Sequence, residues 1–180
     1  IRNGMCYNWC LGQAFDLWKV VILMGQQLLL WKVDMHSHTR LSKDSLNDPR
    51  LLVNTAAARG LGALCVTDHS ELKNALALSR LPDLPIMVVP SEEVKTSEGE
   101  IIGYFLQELV PKGLSPEETV HRIHDQGGIT CVPHPFDRAR DSSRLKTPAL
   151  ERLVAAGEID IIEVFNARVT YSADNQQALE

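Results

Sequence analysis

The sequence lacks an excess of basic residues. Its 180 residues include 18 Lys and Arg against 23 Asp and Glu, which gives a formal net charge of -5 at neutral pH. A protein that binds nucleic acid over a broad surface carries a basic patch or stripe. The composition therefore argues against an extensive nucleic-acid surface. It leaves anionic substrates open, because bound metal ions can dominate the local field whatever the net charge.

Long apolar segments are also missing. The longest uncharged apolar run near the start covers residues 20–31 and contains two glutamines. It is too short for a transmembrane helix, which needs about 20 apolar residues, and no small-residue cleavage pattern of the secretory type accompanies it. We therefore expect no membrane partner and a cytoplasmic location.

Cysteine is scarce, with four residues at Cys6, Cys10, Cys65 and Cys131. They do not form the dense disulfide framework of a small secreted protein. Cys65 and Cys131 lie inside apolar runs, where reduced and buried thiols are expected. Cys6 and Cys10 could hold a metal ion, but no second cysteine pair with zinc-finger spacing follows them.

What is present is the composition of an ordinary globular domain. Hydrophobic residues make up 44% and charged residues 23% of the chain, and 180 residues are enough for one domain with a real core. Residues 1–27 have no assignable period and are treated as an unassigned N-terminal extension. Residues 28–180 form the predicted domain, without an internal repeat.

Strand and helix patterns alternate along this domain. Strands are predicted over residues 28–35, 63–69, 85–94, 100–106, 129–135 and 159–166, and helices over 48–62, 70–80, 115–128, 147–157 and 172–180. Asp48 and Ser115 are predicted N-caps because a proline follows each, and Ser70 is a possible third cap. Apolar strands alternating with helices predict a largely parallel sheet covered by helices. The pattern fits either an open sheet or a closed barrel.

Metal-capable side chains occur at the ends of the predicted strands. They are His36 and His38, Asp68 and His69, Glu92 and Glu93, and His134, with Asn166 at the last strand end. The carboxyl ends of parallel strands meet at one edge of the sheet, where active sites of α/β folds lie. The sequence therefore predicts that these residues converge on one metal site.

His36 and His38 are two residues apart, which puts both imidazoles on one face of a strand. Asp44 lies in the following loop and could fold back onto the site. Glu93 could share its two oxygens between two ions about 3.5–4 Å apart.

Four other polar residues are predicted not to be metal ligands. Asp34 and Asp68 neighbour candidate ligands and are predicted to accept hydrogen bonds from imidazole N–H groups. His121 and His124 lie in a predicted helix, away from any strand end, where a packing or surface role is expected.

The motifs "DMHSHT", "TDH", "SEEVKT", "EGEIIGYFL", "CVPHPFD" and "IEVFN" occur in this order. Together they resemble the PHP (polymerase and histidinol phosphatase) family, from about residue 28 to residue 180. The resemblance implies a distorted (β/α)7 barrel holding two or three divalent ions, commonly zinc, manganese or iron, that hydrolyses phosphate esters.

The resemblance also implies roles for individual residues. The implied metal ligands are His36, His38, Asp44, His69, Glu93, Glu100 and His134, with Glu93 and His134 as the catalytic pair. Many members carry a histidine where this chain has Glu100, which leaves the third metal position and the metal identity open. No Asp-x-His motif follows His134, so we expect a truncated member whose barrel is incomplete as given.

The expected function is hydrolysis of a small phosphomonoester or nucleotide by a metal-activated water at a di- or trinuclear site. Arg138 and Arg140 could grip the substrate phosphate, and Asn166 is a further candidate for substrate contact. Three alternatives remain open at this point. They are a metal-dependent amidohydrolase, the PHP module of a DNA polymerase alpha subunit, and a metal-binding domain without turnover.

Overall fold

The computed structural model describes residues 18–24 and 27–180 of the chain. The strands are β1 Trp18–Met24, β2 Gln27–Ser37, β3 Ala63–His69, β4 Met87–Thr96, β5 Gly99–Tyr104, β6 Ile129–Val132 and β7 Ile161–Ile162. The helices are α1 Pro49–Ala58, α2 Lys73–Ser79, α3 Pro116–Asp125, α4 Thr147–Ala156 and α5 Ser172–Leu179, and a 3-10 turn covers Arg138–Arg140. The segment 1–27, for which the sequence predicts no element, therefore contains a strand, β1. The prediction for Cys6 and Cys10 lies outside the described residues.

The described strands form one sheet in chain order, from β1 to β7. Strands β2 to β7 curl into a half-barrel, as expected for an incomplete barrel of this kind. The pairs β2–β3, β3–β4 and β6–β7 are parallel, whereas β1–β2, β4–β5 and β5–β6 are antiparallel. Three of the five pairs among β2 to β7 are parallel, and the prediction of a largely parallel sheet fails at β5, which is antiparallel to both its neighbours. Only residues 97 and 98 separate β4 from β5, and a turn this short can join only antiparallel strands.

Two of the three predicted helix caps are confirmed. The Asp48 side chain accepts hydrogen bonds from the first-turn N–H groups of α1, and the Ser115 side chain accepts one from the first turn of α3. Ser70 is not a cap, because α2 begins at Lys73. Ser70 has a left-handed φ of 47°. Its backbone N–H donates to the Glu93 carbonyl, so Ser70 is still hydrogen-bonded to the neighbouring strand β4.

The last predicted strand, over residues 159–166, is much shorter in the structure. Only Ile161 and Ile162 pair with β6. The partner strand ends at Val132 because Pro133, which has no N–H, follows it. The residues that follow Val132 are then free to turn toward the concave face.

Two apolar clusters lie on opposite faces of the sheet. One cluster combines strand residues such as Leu64 and Ile101 with helix residues such as Val53 and Leu153. The other consists of strand residues alone and fills the concave face; its buried members are Val33, Ala63, Cys65, Val89, Ile102, Tyr104 and Cys131. The alternation of side chains along each strand produces this division. Each of β3, β4 and β5 supplies both clusters.

The predicted state of the two core cysteines is confirmed. Cys65 and Cys131 are buried and free, and burial raises the pKa of the Cys65 thiol to about 12. Within residues 18–24 and 27–180, no helix has the length and apolar character needed to cross a membrane.

Candidate metal centre

A β-bulge in β2 determines which way the first two histidines face. Asp34 pairs with Leu64 and Ser37 pairs with Val66, so three steps along β2 match two steps along β3. One extra residue in a strand reverses the faces of all residues that follow it. As a result, His36 and His38 lie on the concave face with Val33.

Glu93 is the centre of the cluster. It pairs with His69 across β4 and β3, and its carboxylate is completely buried. Its Oε2 lies 3.3 Å from His36 Nε2, 3.4 Å from His38 Nε2 and 3.0 Å from His69 Nδ1. Its Oε1 lies 3.1 Å from His134 Nε2. Four imidazole rings, two from β2 and β3 and two from the segments that follow β2 and β6, therefore converge on a single carboxylate.

His134 reaches this cluster through an unusual backbone conformation. Its φ is 32°, in the left-handed region that residues other than glycine rarely adopt. The backbone N–H of His134 donates to Glu163 Oε2 at 2.7 Å, which holds the turn in place. A strained residue persists only when its surroundings fix it, and here the strain aims the ring at Glu93.

Glu163 is a functional residue that the sequence reasoning missed. Its Oε1 lies 3.0 Å from His36 Nδ1, and its Oε2 also accepts a hydrogen bond from Asn166 Nδ2. Glu163 thus orients His36 and His134 at once. A lone carboxylate within the apolar stretch "IIEVF" was the available signal for this position. Asn166, predicted as a substrate contact, lies against this carboxylate.

The predicted roles of Asp34 and Asp68 need correction, since neither carboxylate binds an imidazole N–H directly. Asp34 Oδ1 accepts from the backbone N–H of His36 at 3.1 Å. Asp68 accepts from Ser42 Oγ and from the backbone and hydroxyl groups of Thr39. Asp34 therefore contacts His36 through its backbone N–H, and Asp68 reaches the ring of His38 only through Ser42.

Asp44 and Glu100 border the cluster on its more open side. Asp44 Oδ1 lies 3.6 Å from His69 Nε2, and Asp44 Oδ2 accepts from Arg168 Nη1 at 2.8 Å. Glu100 Oε1 lies 3.8 Å from His69 Nδ1, and its Oε2 lies 3.8 Å from His134 Nε2. All seven residues predicted as ligands are therefore brought together.

Three groups of side chains within the described part of the chain are close enough to hold an ion. They are His36, His38 and Glu93; His38, Asp44 and His69; and His69, Glu93 and Glu100. The groups share His38, His69 and Glu93, so ions held by them would be neighbours. His134 belongs to none of these groups, but it contacts the Glu93 oxygen that faces away from the other three histidines.

The cluster shifts the pKa values of its members in opposite directions. Burial lowers the pKa of His36, but the carboxylates of Glu93 and Glu163 outweigh burial and hold it well above its usual value. Burial lowers the pKa of His38 to about 4. Burial also raises the pKa of Glu93, yet His36 and His134 hold it well below its usual value.

Glu100 behaves differently, because burial and the nearby charge of Glu93 raise its pKa to about 7. Repulsion between two carboxylates is relieved by a proton or by a cation placed between them. A site that gathers several carboxylates in this way attracts positive charge.

The donor set fits a divalent metal ion. Glu93 Oε2 and Glu100 Oε2 are buried and make no hydrogen bond to any described residue, although an unsatisfied buried oxygen is costly. His36 Nε2 and His38 Nε2 lie only 3.1 Å apart, so both nitrogens point into the same space. Imidazole nitrogen combined with carboxylate oxygen is the ligand chemistry of zinc, manganese and iron sites.

A pocket of about 350 Å³ opens beside Asp44, His69 and Glu100. Lys43, Arg140, Ser143 and Arg168 complete its lining. Sequence reasoning selected Arg140 but missed Lys43 and Arg168. Arg138 lies elsewhere: its Nε donates to Asp174 Oδ1 at 2.7 Å, and its guanidinium lies 4.8 Å from the ring centre of Tyr171.

Comparison with known proteins agrees with this geometry. The model of the PHP domain family matches residues 34–105, which include six of the seven predicted ligands. An uncharacterised protein of Methanocaldococcus jannaschii is 36% identical over 147 residues, which cover 76% of this chain and 82% of that protein. The chain belongs to the PHP domain family.

Solved structures share the PHP fold. A two-domain protein from Bacteroides vulgatus, containing a predicted PHP-like metal-dependent phosphoesterase, aligns with a TM-score of 0.62 and 22% identity. The alignment covers 74% of this chain but only 44% of that protein. An amidohydrolase from Chromobacterium violaceum with bound sulfate aligns with a TM-score of 0.57 and 18% identity, over 81% of this chain and 80% of that one.

Proposed function

We propose that this PHP domain is a metal-dependent phosphoesterase that hydrolyses small phosphomonoesters or nucleotides at a centre of two or three divalent ions. The observation that carries the proposal is the buried Glu93 carboxylate, which four imidazole rings surround. Its Oε2 lies within 3.4 Å of three imidazole nitrogens but makes no hydrogen bond to any described residue. A carboxylate in this setting is suited to bridging ions.

The proposed ligands are His36, His38, Asp44, His69, Glu93, Glu100 and His134, and the proposed ions are zinc, manganese or iron. Divalent ions held by these residues would supply a nucleophile from water at neutral pH and would stabilise charge on the phosphoryl oxygens. Glu93 and His134 have side chains without solvent exposure. They would close the inner side of the centre to bulk water, which strengthens electrostatic interactions within it.

Substrate binding is assigned to the pocket beside Asp44. Lys43, Arg140 and Arg168 line it together, and guanidinium groups bind phosphate oxygens in a bidentate geometry. Arg140 is steadied by Asp137, with 3.1 Å between Nε and Oδ2. Because Arg140 lines this pocket and Arg138 does not, we assign the phosphate contact to Arg140 rather than to Arg138.

The deciding experiment is a phosphatase assay with the protein stripped of metal and then reloaded separately with Zn²⁺, Mn²⁺ or Fe²⁺. An aryl phosphate and a panel of nucleoside monophosphates serve as substrates. We expect turnover to depend on metal and to fall roughly 100-fold or more in Glu93→Gln. Glu117→Gln is the control, because Glu117 pairs with Arg152 on the surface. Metal-independent turnover, or none with any metal, contradicts the proposal.

Amide hydrolysis is the second candidate, because the Chromobacterium violaceum neighbour is described as an amidohydrolase. The same metal-loaded samples can be offered amide substrates in parallel. Turnover of amides without turnover of phosphate esters would select this function, while the ligand set would stay the same.

A further inference from the structure

Ser42 lies at the centre of a buried hydrogen-bond network behind the histidines. Its Oγ is 3.2 Å from His38 Nδ1, 2.7 Å from Asp68 Oδ1 and 3.1 Å from the backbone nitrogen of His69. Ser42 is 3% exposed and Asp68 is 1% exposed. Each polar group in such a place must find its partner within the protein.

The direction of these hydrogen bonds follows from the groups around Asp68. Thr39 directs its backbone N–H and its hydroxyl at the two Asp68 oxygens. The Thr39 hydroxyl itself accepts from Asn74 Nδ2 and from the backbone N–H of Leu41, so its single proton goes to Asp68. Asp68 is therefore an acceptor on both of its oxygens.

A serine hydroxyl has one proton to donate and two lone pairs that can accept. The proton of Ser42 goes to Asp68, and one lone pair accepts the backbone N–H of His69. The other lone pair is left for His38 Nδ1, which must then carry a proton. This arrangement satisfies all the polar groups that meet at Ser42.

We propose that Ser42 is a positioning residue that holds His38 in the tautomer protonated on Nδ1, with the lone pair of Nε2 directed at the metal centre. Asp68 acts on His38 only through this hydroxyl, which forms a carboxylate–hydroxyl–imidazole relay. The role of Ser42 in metal binding rests on the proposed function, whereas the proposed tautomer of His38 does not.

The relay explains how one loop residue serves two candidate ligands. Ser42 fixes the ring of His38 and, through the backbone N–H, the end of the strand that carries His69. His36 is oriented by a different partner, since its Nδ1 contacts the Glu163 carboxylate directly. A partner on the far ring nitrogen is what orients histidine ligands and sets their tautomer.

The first test reads the tautomer directly in the metal-free full-length chain with ¹⁵N-labelled histidine. Two-bond ¹⁵N–¹H correlations, assigned with single histidine substitutions, report which ring nitrogen carries the proton. We expect His38 of the wild type to be protonated on Nδ1. A wild-type His38 protonated on Nε2 overturns the proposal, and this measurement does not depend on any variant folding.

The second test compares two serines of the same loop. Ser42→Ala should shift His38 toward the Nε2-protonated form and weaken Zn²⁺ binding about 10- to 100-fold in a competition titration. Ser42→Thr keeps the hydroxyl and should restore both properties. Ser45→Ala is the matched control, because Ser45 Oγ donates to the backbone carbonyl of His38 and not to its ring.

Equal effects of Ser42→Ala and Ser45→Ala on the tautomer overturn the relay. If the wild type binds no Zn²⁺ although its His38 is protonated on Nδ1, the proposed metal-dependent function fails and the relay stands. The two outcomes are therefore distinguishable.

Discussion

Glu92 and Glu93 are neighbours on β4, and both side chains are completely buried. Glu93 faces the concave side, where the histidines hold its pKa well below the usual value against the effect of burial. Glu92 faces the helix side, where burial raises its pKa to about 7 and Val110 N–H is its one hydrogen-bond donor among residues 18–24 and 27–180.

Glu92 and Glu93 have the same side chain and are buried to the same extent, so neither property explains why only Glu93 lies in the candidate metal centre. What differs is the set of partners on each face of the sheet. The concave face gathers histidines around a carboxylate, while the helix face surrounds one with apolar side chains. The concave face thus carries the proposed chemistry, and the helix face carries the main core.

The largest expected effect is a loss of folding stability that leaves metal binding unchanged. Leu64→Ala truncates a completely buried side chain of the helix-facing core and should lower the free energy of unfolding by about 2–5 kcal/mol. Zn²⁺ affinity of the folded protein should stay unchanged. Denaturant unfolding and metal titration measure the two quantities. Leu46→Ala, at a residue 97% exposed, should change neither, and a loss of Zn²⁺ affinity in folded Leu64→Ala would break the comparison.

The next effect compares the two glutamates directly. Glu93→Gln removes the charge that the histidines surround and should weaken Zn²⁺ binding roughly 100-fold. Glu92→Gln makes the same chemical change one residue away, on the other face, and should leave the affinity as in the wild type. Calorimetric titration of both variants provides the test. Equal losses of Zn²⁺ affinity in the two variants would mean that the face on which the glutamate lies does not determine metal binding.

Glu163 should give an intermediate effect, since it contacts the histidines rather than the space between them. Glu163→Gln weakens the hold on His36 Nδ1 and on the backbone N–H of His134. We expect Zn²⁺ affinity to fall about 10-fold. Asn166→Ala removes one donor to the same carboxylate and should have a smaller effect. A Glu163→Gln variant as weak as Glu93→Gln would make Glu163 a ligand.

The smallest expected effect is a pH dependence of folding stability, which comes from Glu92 on the helix face. The pKa of Glu92 is about 7 in the folded protein and about 4.5 when unfolded. The folded state therefore binds a proton more tightly, and ionising Glu92 costs stability as pH rises from about 4.5 to about 7. Glu92→Gln should match the wild type near pH 5 and melt a few degrees higher near pH 8. A constant difference in melting temperature across this range would contradict the shift.

Much of the site could be predicted from the sequence, because histidines and carboxylates at successive strand ends must meet at one edge of a sheet. All seven predicted ligands do meet there. The helix starts at Asp48 and Ser115 were equally predictable, since caps and proline act within a few residues.

The missed features depend on distances that sequence patterns do not encode. Glu163 lies 127 residues from His36 in the chain, so only folding brings the two together. The route from Asp68 to His38 was missed because it passes through Ser42, whose role depends on three-dimensional placement. The antiparallel pairing of β5 with β4 follows from the two-residue turn between them, and not from apolar character.

The β2 bulge has a consequence for how the motif H-x-H is interpreted. The motif itself does not specify which face of a sheet its histidines take; the pairing of the residues before it does. If β2 paired with β3 without the bulge, the same sequence would turn both histidines toward the helices. Loss of the bulge would therefore disrupt the metal centre with every candidate ligand still in the chain, and an intact motif does not guarantee an intact centre.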